Sequence, residues 1–133
     1  MNIINSDLKL NACTILVVED NELNQQVIQA LLEYNGAIVS IASNGQEALD
    51  KLNKENFDCV LMDVQMPVMD GLKATKMIRA NPQWSEVPII ALTANADEDY
   101  RDLCRSAGMN DFLVKPIDPE QLVIIISKWL LPG

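Results

Sequence analysis

The chain has 133 residues, about one domain's worth, and 49% of them are hydrophobic, enough for a compact core. Lys plus Arg number 10 against 19 Asp plus Glu, a formal net charge of -9, which argues against phosphate backbones and anionic membranes as partners and favours cations and basic proteins. MNIINSDLKL lacks the basic and apolar regions of a signal peptide, and the longest apolar run, 122–126, is far too short for a bilayer. The chain reads as soluble and cytoplasmic.

In chain order, the first strand-like run is TILVVED (14–20), followed by a helical pattern over 22–34 with Leu23, Val27, Ala30, Leu31 and Tyr34 on one face. AIVSIA (37–42) is the second strand. The helix after it, 45–54, carries Ala48, Leu49 and Leu52, with Asn44 as its N-cap. FDCVLMD (57–63) leads to a helix over 71–80, VPIIALT (87–93) to one over 97–107, and NDFLVKP (110–116) to a last helix with Asp118 as N-cap and Pro119 at the first helical position. Strand and helix alternating five times imply a doubly wound parallel sheet of five strands flanked by five helices. Residues 1–12 form a short N-terminal extension and 13–131 the domain. Cys13, Cys59 and Cys104 read as free thiols packed as small hydrophobes. The absence of histidine removes the usual zinc sites, Ser/His/Asp triads and histidine bases, so any chemistry must run on carboxylates, hydroxyls and lysine.

Doubly wound sheets bind ligands beyond the carboxyl ends of their strands. The residues there are Glu19 and Asp20 after the first strand, Asp63 after the third, Thr93 after the fourth and Lys115 after the fifth. Singly, each has a plain reading: the acidic pair as a helix cap, Asp63 as a turn, Thr93 as a strand residue, Lys115 as a loop lysine. Their coincidence at successive strand ends favours one shared site. Three carboxylates together repel unless a cation sits among them, and magnesium suits one or two direct carboxylates with a backbone carbonyl and waters. A carboxylate can attack phosphorus if positive charge neutralises the transferring group, which Lys115 and a metal would supply.

The pair Glu19-Asp20, DVQMPVMDG at 63–71, ALTA at 91–94 and LVKP at 113–116 resemble the receiver domain of two-component response regulators, and the similarity runs from about residue 14 to 130. The resemblance implies the flavodoxin-like strand order 2-1-3-4-5. It also implies Asp63 as phosphoacceptor, and magnesium, with manganese as an alternative, on Asp20, Asp63 and the Gln65 backbone carbonyl, Glu19 reaching it through water. Thr93 would bond the phosphoryl group, and Lys115 would pair with it across a cis bond to Pro116. Gln65, Ala94 and Asn95 would govern access and hydrolysis. The aromatic switch position, often tyrosine, is Phe112, which can rotate as Thr93 moves but has no hydroxyl to donate; a plain core phenylalanine is the other reading.

DNELNQQV, AGMNDFLVKPI and DPEQL resemble the receivers of hybrid sensor kinases and phosphorelays. The donor would be a histidine kinase or a histidine-phosphotransfer domain, docking on the first helix at Leu23, Gln26 and Val27. The helix 4/strand 5/helix 5 face would change conformation and could form a dimer, with Val123 or Ile124 as a patch. Neither nucleic acid nor membrane contact of its own is expected, and the domain would work in the cytoplasm, free or as part of a membrane-bound hybrid kinase. No output module is expected after the last helix. The expected chemistry is the domain's own phosphorylation and slow autodephosphorylation, not turnover of a substrate. The competing classes are an aspartate-nucleophile phosphatase or phosphotransferase, which normally has a second aspartate where Gln65 stands, and a receiver-fold adaptor that is never phosphorylated. Neither glycine-rich nucleotide motif occurs.

Overall fold

The computed structural model describes residues 9–66 and 69–130. Five strands, β1 (Thr14–Val18), β2 (Ile38–Ala42), β3 (Cys59–Asp63), β4 (Ile89–Thr93) and β5 (Asp111–Val114), form one sheet in the order β2-β1-β3-β4-β5. Every neighbouring pair is parallel. The order is the one the resemblance implied. Every residue of β3 and β4 is buried, as expected of central strands covered on both faces. Alternation of side chains along the strands feeds two core layers. Leu16, Val18, Val60, Met62, Ile89 and Ala91 pack with α2 (Gly45–Lys54), α3 (Gly71–Ala80) and α4 (Glu98–Ala107). Ile15, Val17, Cys59, Leu61, Ile90 and Leu92 pack with α1 (Glu22–Tyr34) and α5 (Pro119–Leu130). Among the described residues, no helix is long and apolar enough to cross a membrane.

The helix starts are fixed by side chains chosen for the purpose. Asn21, Asn44 and Asp70 each accept a hydrogen bond from the backbone N–H three residues on. Glu47 reaches back to the Ser43 N–H at 2.8 Å and completes a reciprocal cap on α2. Asp118 accepts from the Glu120 N–H at the start of α5.

Three features differ from the sequence reading or add to it. The face Leu23, Val27, Ala30, Leu31 and Tyr34 of α1 is not the buried one: Ile28 and Leu32 turn inward, while Leu23, Val27 and Tyr34 are 67%, 55% and 83% exposed. The helix carries two apolar stripes, and its start at the Asn21 cap, directly after β1, sets the phase that puts Gln25, Ile28 and Leu32 against the sheet. A 3-10 turn, Pro82–Trp84, follows α3 and buries Trp84. The Arg79 guanidinium fastens it, donating to the carbonyls of Trp84 and Gly108 at 2.9 Å each and to Asn110 Oδ1 at 2.7 Å. Leu10, assigned from sequence to the N-terminal extension, is fully buried in the α1/α5 layer. Cys59 and Cys104 are buried, Cys13 is half-buried, and all three thiols are free. The Lys115–Pro116 bond is cis. Pro67 and Val68, inside the DVQMPVMDG stretch, and Leu131, the expected domain end, lie outside the described residues.

Gly71 shows how tightly α3 is set against the strand that carries Asp63. A Cβ there would collide with the Asp63 carbonyl oxygen and come within 2.9 Å of Val64 Cα, both backbone atoms with no freedom to yield. Gly71→Ala is expected to cost about 1–3 kcal/mol of stability in equilibrium denaturation, the usual penalty of forced overpacking; a wild-type midpoint would refute the tight contact.

Candidate functional site

Each side chain of interest arrives at the carboxyl edge of the sheet from its own strand. β1 ends at Val18 and hands Glu19, which is buried, and Asp20, which is exposed, to the loop before α1. β3 ends on Asp63, 3% exposed, and β4 on Thr93, 2% exposed. β5 delivers Lys115, whose backbone N–H donates to the Thr93 carbonyl at 2.7 Å. The Lys115 Nζ then lies 3.2 Å from Glu19 Oε1 and 3.2 Å from Asp63 Oδ2. Carboxylate oxygens of Glu19, Asp20 and Asp63 fall within 4.8 Å of one another.

Short backbone bonds hold these groups in place. The Gln65 N–H donates to Asp63 Oδ1 at 3.2 Å, the Asn21 N–H to Glu19 Oε2 at 3.1 Å, and the Asn95 N–H to Thr93 Oγ1 at 3.0 Å. Ala94 is exposed beside them. Phe112 is half-buried against the α2/α3/α4 layer, with the Arg101 guanidinium 4.2 Å and the Arg105 guanidinium 5.2 Å from its ring centre. A groove of about 530 Å³ opens from Glu19 and Lys115 between Asn24 and Val27 of α1 and Pro116 and Ile117 after β5. Leu23 and Gln26 are exposed on the same helix. On α5, Val123 is half-buried and Ile124 is 54% exposed.

The charges are unevenly matched: three carboxylates face one ammonium. Burial, and then the negative charge of Glu19, push the Asp63 carboxyl up to about 6, against the pull of Lys115 and the Gln65 N–H. Glu19 moves the other way. Burial opposes its ionisation, but the Asn21 N–H and Lys115 hold it below the usual carboxylate range. Burial would lower Lys115, and the two carboxylates more than offset it, so its ammonium is retained. The pocket therefore lacks positive charge and offers hard oxygen donors, which fits a divalent ion such as magnesium. Both oxygens of Glu19 and both of Asp63 have partners within the protein, and Asp20 is the exposed carboxylate of the three.

Sequence reasoning missed two contributors, Asn21 and Gln25. The Gln25 Nε2 donates to the Glu19 carbonyl at 2.6 Å. Its signal in the sequence was a polar residue on the inward stripe of a helix, visible only once the phase of α1 is known.

A five-stranded sheet of this order, with acidic residues and a lysine gathered at its carboxyl edge, is the arrangement of a receiver. The model of the response regulator receiver domain matches residues 15–127, and the chain belongs to that family. It is 46% identical over 121 residues to the osmosensing histidine protein kinase SLN1 of Saccharomyces cerevisiae, a match that takes in 86% of this chain and 10% of that kinase. The chain thus spans about a tenth of the length of that relative. Among solved structures, it is similar to the receiver domain of sensor histidine kinase PA1611 from Pseudomonas aeruginosa PAO1, which has a magnesium ion coordinated in its active site cleft (TM-score 0.84, 44% identity, 90% of this chain and 98% of that one). It is also similar to a co-crystal structure of the Saccharomyces cerevisiae histidine phosphotransfer signaling protein Ypd1 with the receiver domain of its downstream response regulator Ssk1 (TM-score 0.84, 30% identity, 90% of each chain).

The Asp63 shift has a consequence for stability. The folded chain keeps the Asp63 proton to about pH 6, whereas an ordinary aspartate releases it near 3.8, so stability falls as pH rises through that window. In metal-free buffer, Asp63→Asn is expected to be more stable than wild type at pH 7 by on the order of 1–3 kcal/mol, with the gain fading below about pH 4. Urea denaturation across that pH range measures it, and a pH-independent difference would contradict the charge imbalance.

Proposed function

We propose that the domain is a phosphoacceptor in a two-component or phosphorelay pathway, taking a phosphoryl group onto Asp63 from a phosphohistidine. The observation that carries the reading is the buried Asp63 carboxylate 3.2 Å from the Lys115 ammonium, in a pocket where three carboxylates converge. A carboxylate oxygen of Asp63 attacks phosphorus while the P–N bond to the donor imidazole breaks, and the bonding electron pair leaves with the ring nitrogen. Magnesium or manganese, when bound by Asp20, Asp63 and the Gln65 carbonyl with Glu19 behind, supplies the positive charge that lets an anionic phosphoryl group approach an anionic rim. Lys115 keeps its proton and transfers its pairing from the carboxylates to a phosphoryl oxygen. Thr93 Oγ1 accepts from the Asn95 N–H at 3.0 Å and donates to the Asn95 carbonyl in a long contact of 3.5 Å, which its hydroxyl hydrogen would exchange for a phosphoryl oxygen. Ala94 leaves space at the entrance, and Gln65 and Asn95 flank the position of a hydrolytic water. The chemistry ends there: uptake and slow loss of one phosphoryl group.

Movement of Thr93 would be felt at Phe112 on the neighbouring edge strand β5, where Arg101 and Arg105 of α4 cover its ring. The α4/β5/α5 face is then the surface that reports the change, through a downstream contact or a dimer, with Ile124 as an apolar point on α5. The donor's histidine-bearing helices are expected against the exposed Leu23, Gln26 and Val27 and the groove beside them, as phosphotransfer needs the histidine within reach of Asp63. The co-crystal structure of Ypd1 with the Ssk1 receiver supports a partner of this kind. A phosphohistidine donor also places the domain in the cytoplasm, free or joined to a kinase.

Incubation with acetyl phosphate and magnesium is expected to add one phosphoryl group by intact-mass spectrometry. Asp63→Asn or removal of divalent ions by EDTA should abolish the addition. Wild type that stays unmodified, or an Asp63→Asn variant that is modified as readily, would overturn the reading.

A further inference from the structure

Gln25 lies inside DNELNQQV, a segment that the phosphoacceptor reading uses only for its exposed residues. It is half-buried and stands at the top of the inward stripe of α1, above Ile28 and Leu32. Both hydrogens of one side-chain amide have a use there. Its Nε2 donates to the Glu19 backbone carbonyl at 2.6 Å and lies 3.3 Å from Ser43 Oγ, at the start of the loop into α2. Ser43 is itself held, because its N–H donates to Glu47 Oε1 in the α2 cap. On the near side, the Glu19 N–H donates to the Ala42 carbonyl at 3.0 Å.

The peptide group that leaves Glu19 is the one that enters Asp20. Its carbonyl orientation fixes where the Asp20 N and Cα sit, since the six atoms of a peptide lie in one plane, and leaves φ and χ1 of Asp20 to complete the aim of the side chain. Glu19 does not depend on this contact for its own side chain, which the Asn21 N–H and Lys115 hold separately. Asp20 is exposed, so its aim depends on its backbone. We propose that Gln25 is a positioning residue for the cation site: its amide clamps the Glu19–Asp20 peptide and so directs the Asp20 carboxylate toward Asp63. This rests on the phosphoacceptor reading, in which Asp20 helps hold the ion.

The clamp differs from a general loop tether in what it controls. A tether would act equally through either end of the bridge, and its loss would loosen both carboxylates. A clamp on one peptide acts on Asp20 alone, through the bond to the Glu19 carbonyl and not through Ser43.

The test is a magnesium titration of the whole domain followed by the backbone amide shifts of Asp20, Asp63 and Gln65. Gln25→Met keeps the length and helix propensity of the side chain and removes the donor. It is expected to weaken magnesium binding about tenfold, the lower end of what loss of an outer hydrogen-bond partner costs at metal sites. Gln25→Ala, which removes the donor without filling its space, should give the same loss. In an Asp20→Asn background the Gln25→Met substitution should have no further effect, and Ser43→Ala should bind close to wild type. Unchanged affinity in both Gln25 variants, an undiminished loss when Asp20 is already Asn, or an equal loss in Ser43→Ala would each overturn the proposal. Absence of magnesium binding by wild type would overturn the phosphoacceptor reading and this proposal with it.

Discussion

The molecule is organised around an electrostatic mismatch: Glu19, Asp20 and Asp63 share one pocket with a single ammonium. Like charges at such separations cannot all ionise freely, and burial makes the repulsion harder to screen. The fold does not remove the conflict. It divides it unequally, giving Glu19 a backbone N–H and the lysine, leaving Asp20 in water, and loading the remaining strain on Asp63. A carboxyl raised in this way, at the floor of a cleft, is poised to respond to any added positive charge.

That mismatch survives because the scaffold around it is rigid. Asp63 ends a strand whose every residue is buried, between β1 and β4, and the first residue of α3 is a glycine because the helix lies directly on the Asp63 backbone. The Lys115 N–H to Thr93 carbonyl bond ties the fifth strand's end to the fourth, so the lysine is set by sheet geometry and not by its flexible stem alone. Preorganisation of this kind places charge before a ligand arrives, and the cost of assembling it is met by the two apolar layers on either side of the sheet.

Much of this was legible in the sequence, for identifiable reasons. Five apolar runs separated by capped amphipathic stretches specify alternating strands and helices, and every helix falls within one residue of where periodicity and caps put it at its start. The rim residues were legible because they end strands. The inward face of α1 was not, since Leu23, Val27 and Leu31 form as good an apolar stripe as Ile28 and Leu32, and only the docking of the helix on the sheet chooses between them. The Pro82–Trp84 turn was also hidden, because it depends on Arg79 reaching carbonyls from two other segments. Neither Gln25 nor Asn21 carries a local signature of its contact with Glu19.

The choice of stripe on α1 has a wider effect than helix packing. Had Leu23 and Val27 faced the sheet, Gln25 would point away from the Glu19 carbonyl and the groove at the pocket mouth would lose its apolar wall. With Ile28 and Leu32 inward, one short helix anchors the α1/α5 layer, fixes the loop that carries the acidic pair, and leaves an apolar edge open beside the pocket. An edge of exposed leucine and valine contributes nothing to the core, and its place beside the pocket mouth suits the docking surface proposed for a histidine-bearing donor. Phe112 extends the same logic on the opposite side. Lacking a hydroxyl, its ring has no directional bond to give, and it is held by packing and by the guanidinium of Arg101, an interaction worth about 0.5–1 kcal/mol at a partly exposed site. That contact is the smaller part of the hold, and the rest is packing of the ring against the α2/α3/α4 layer.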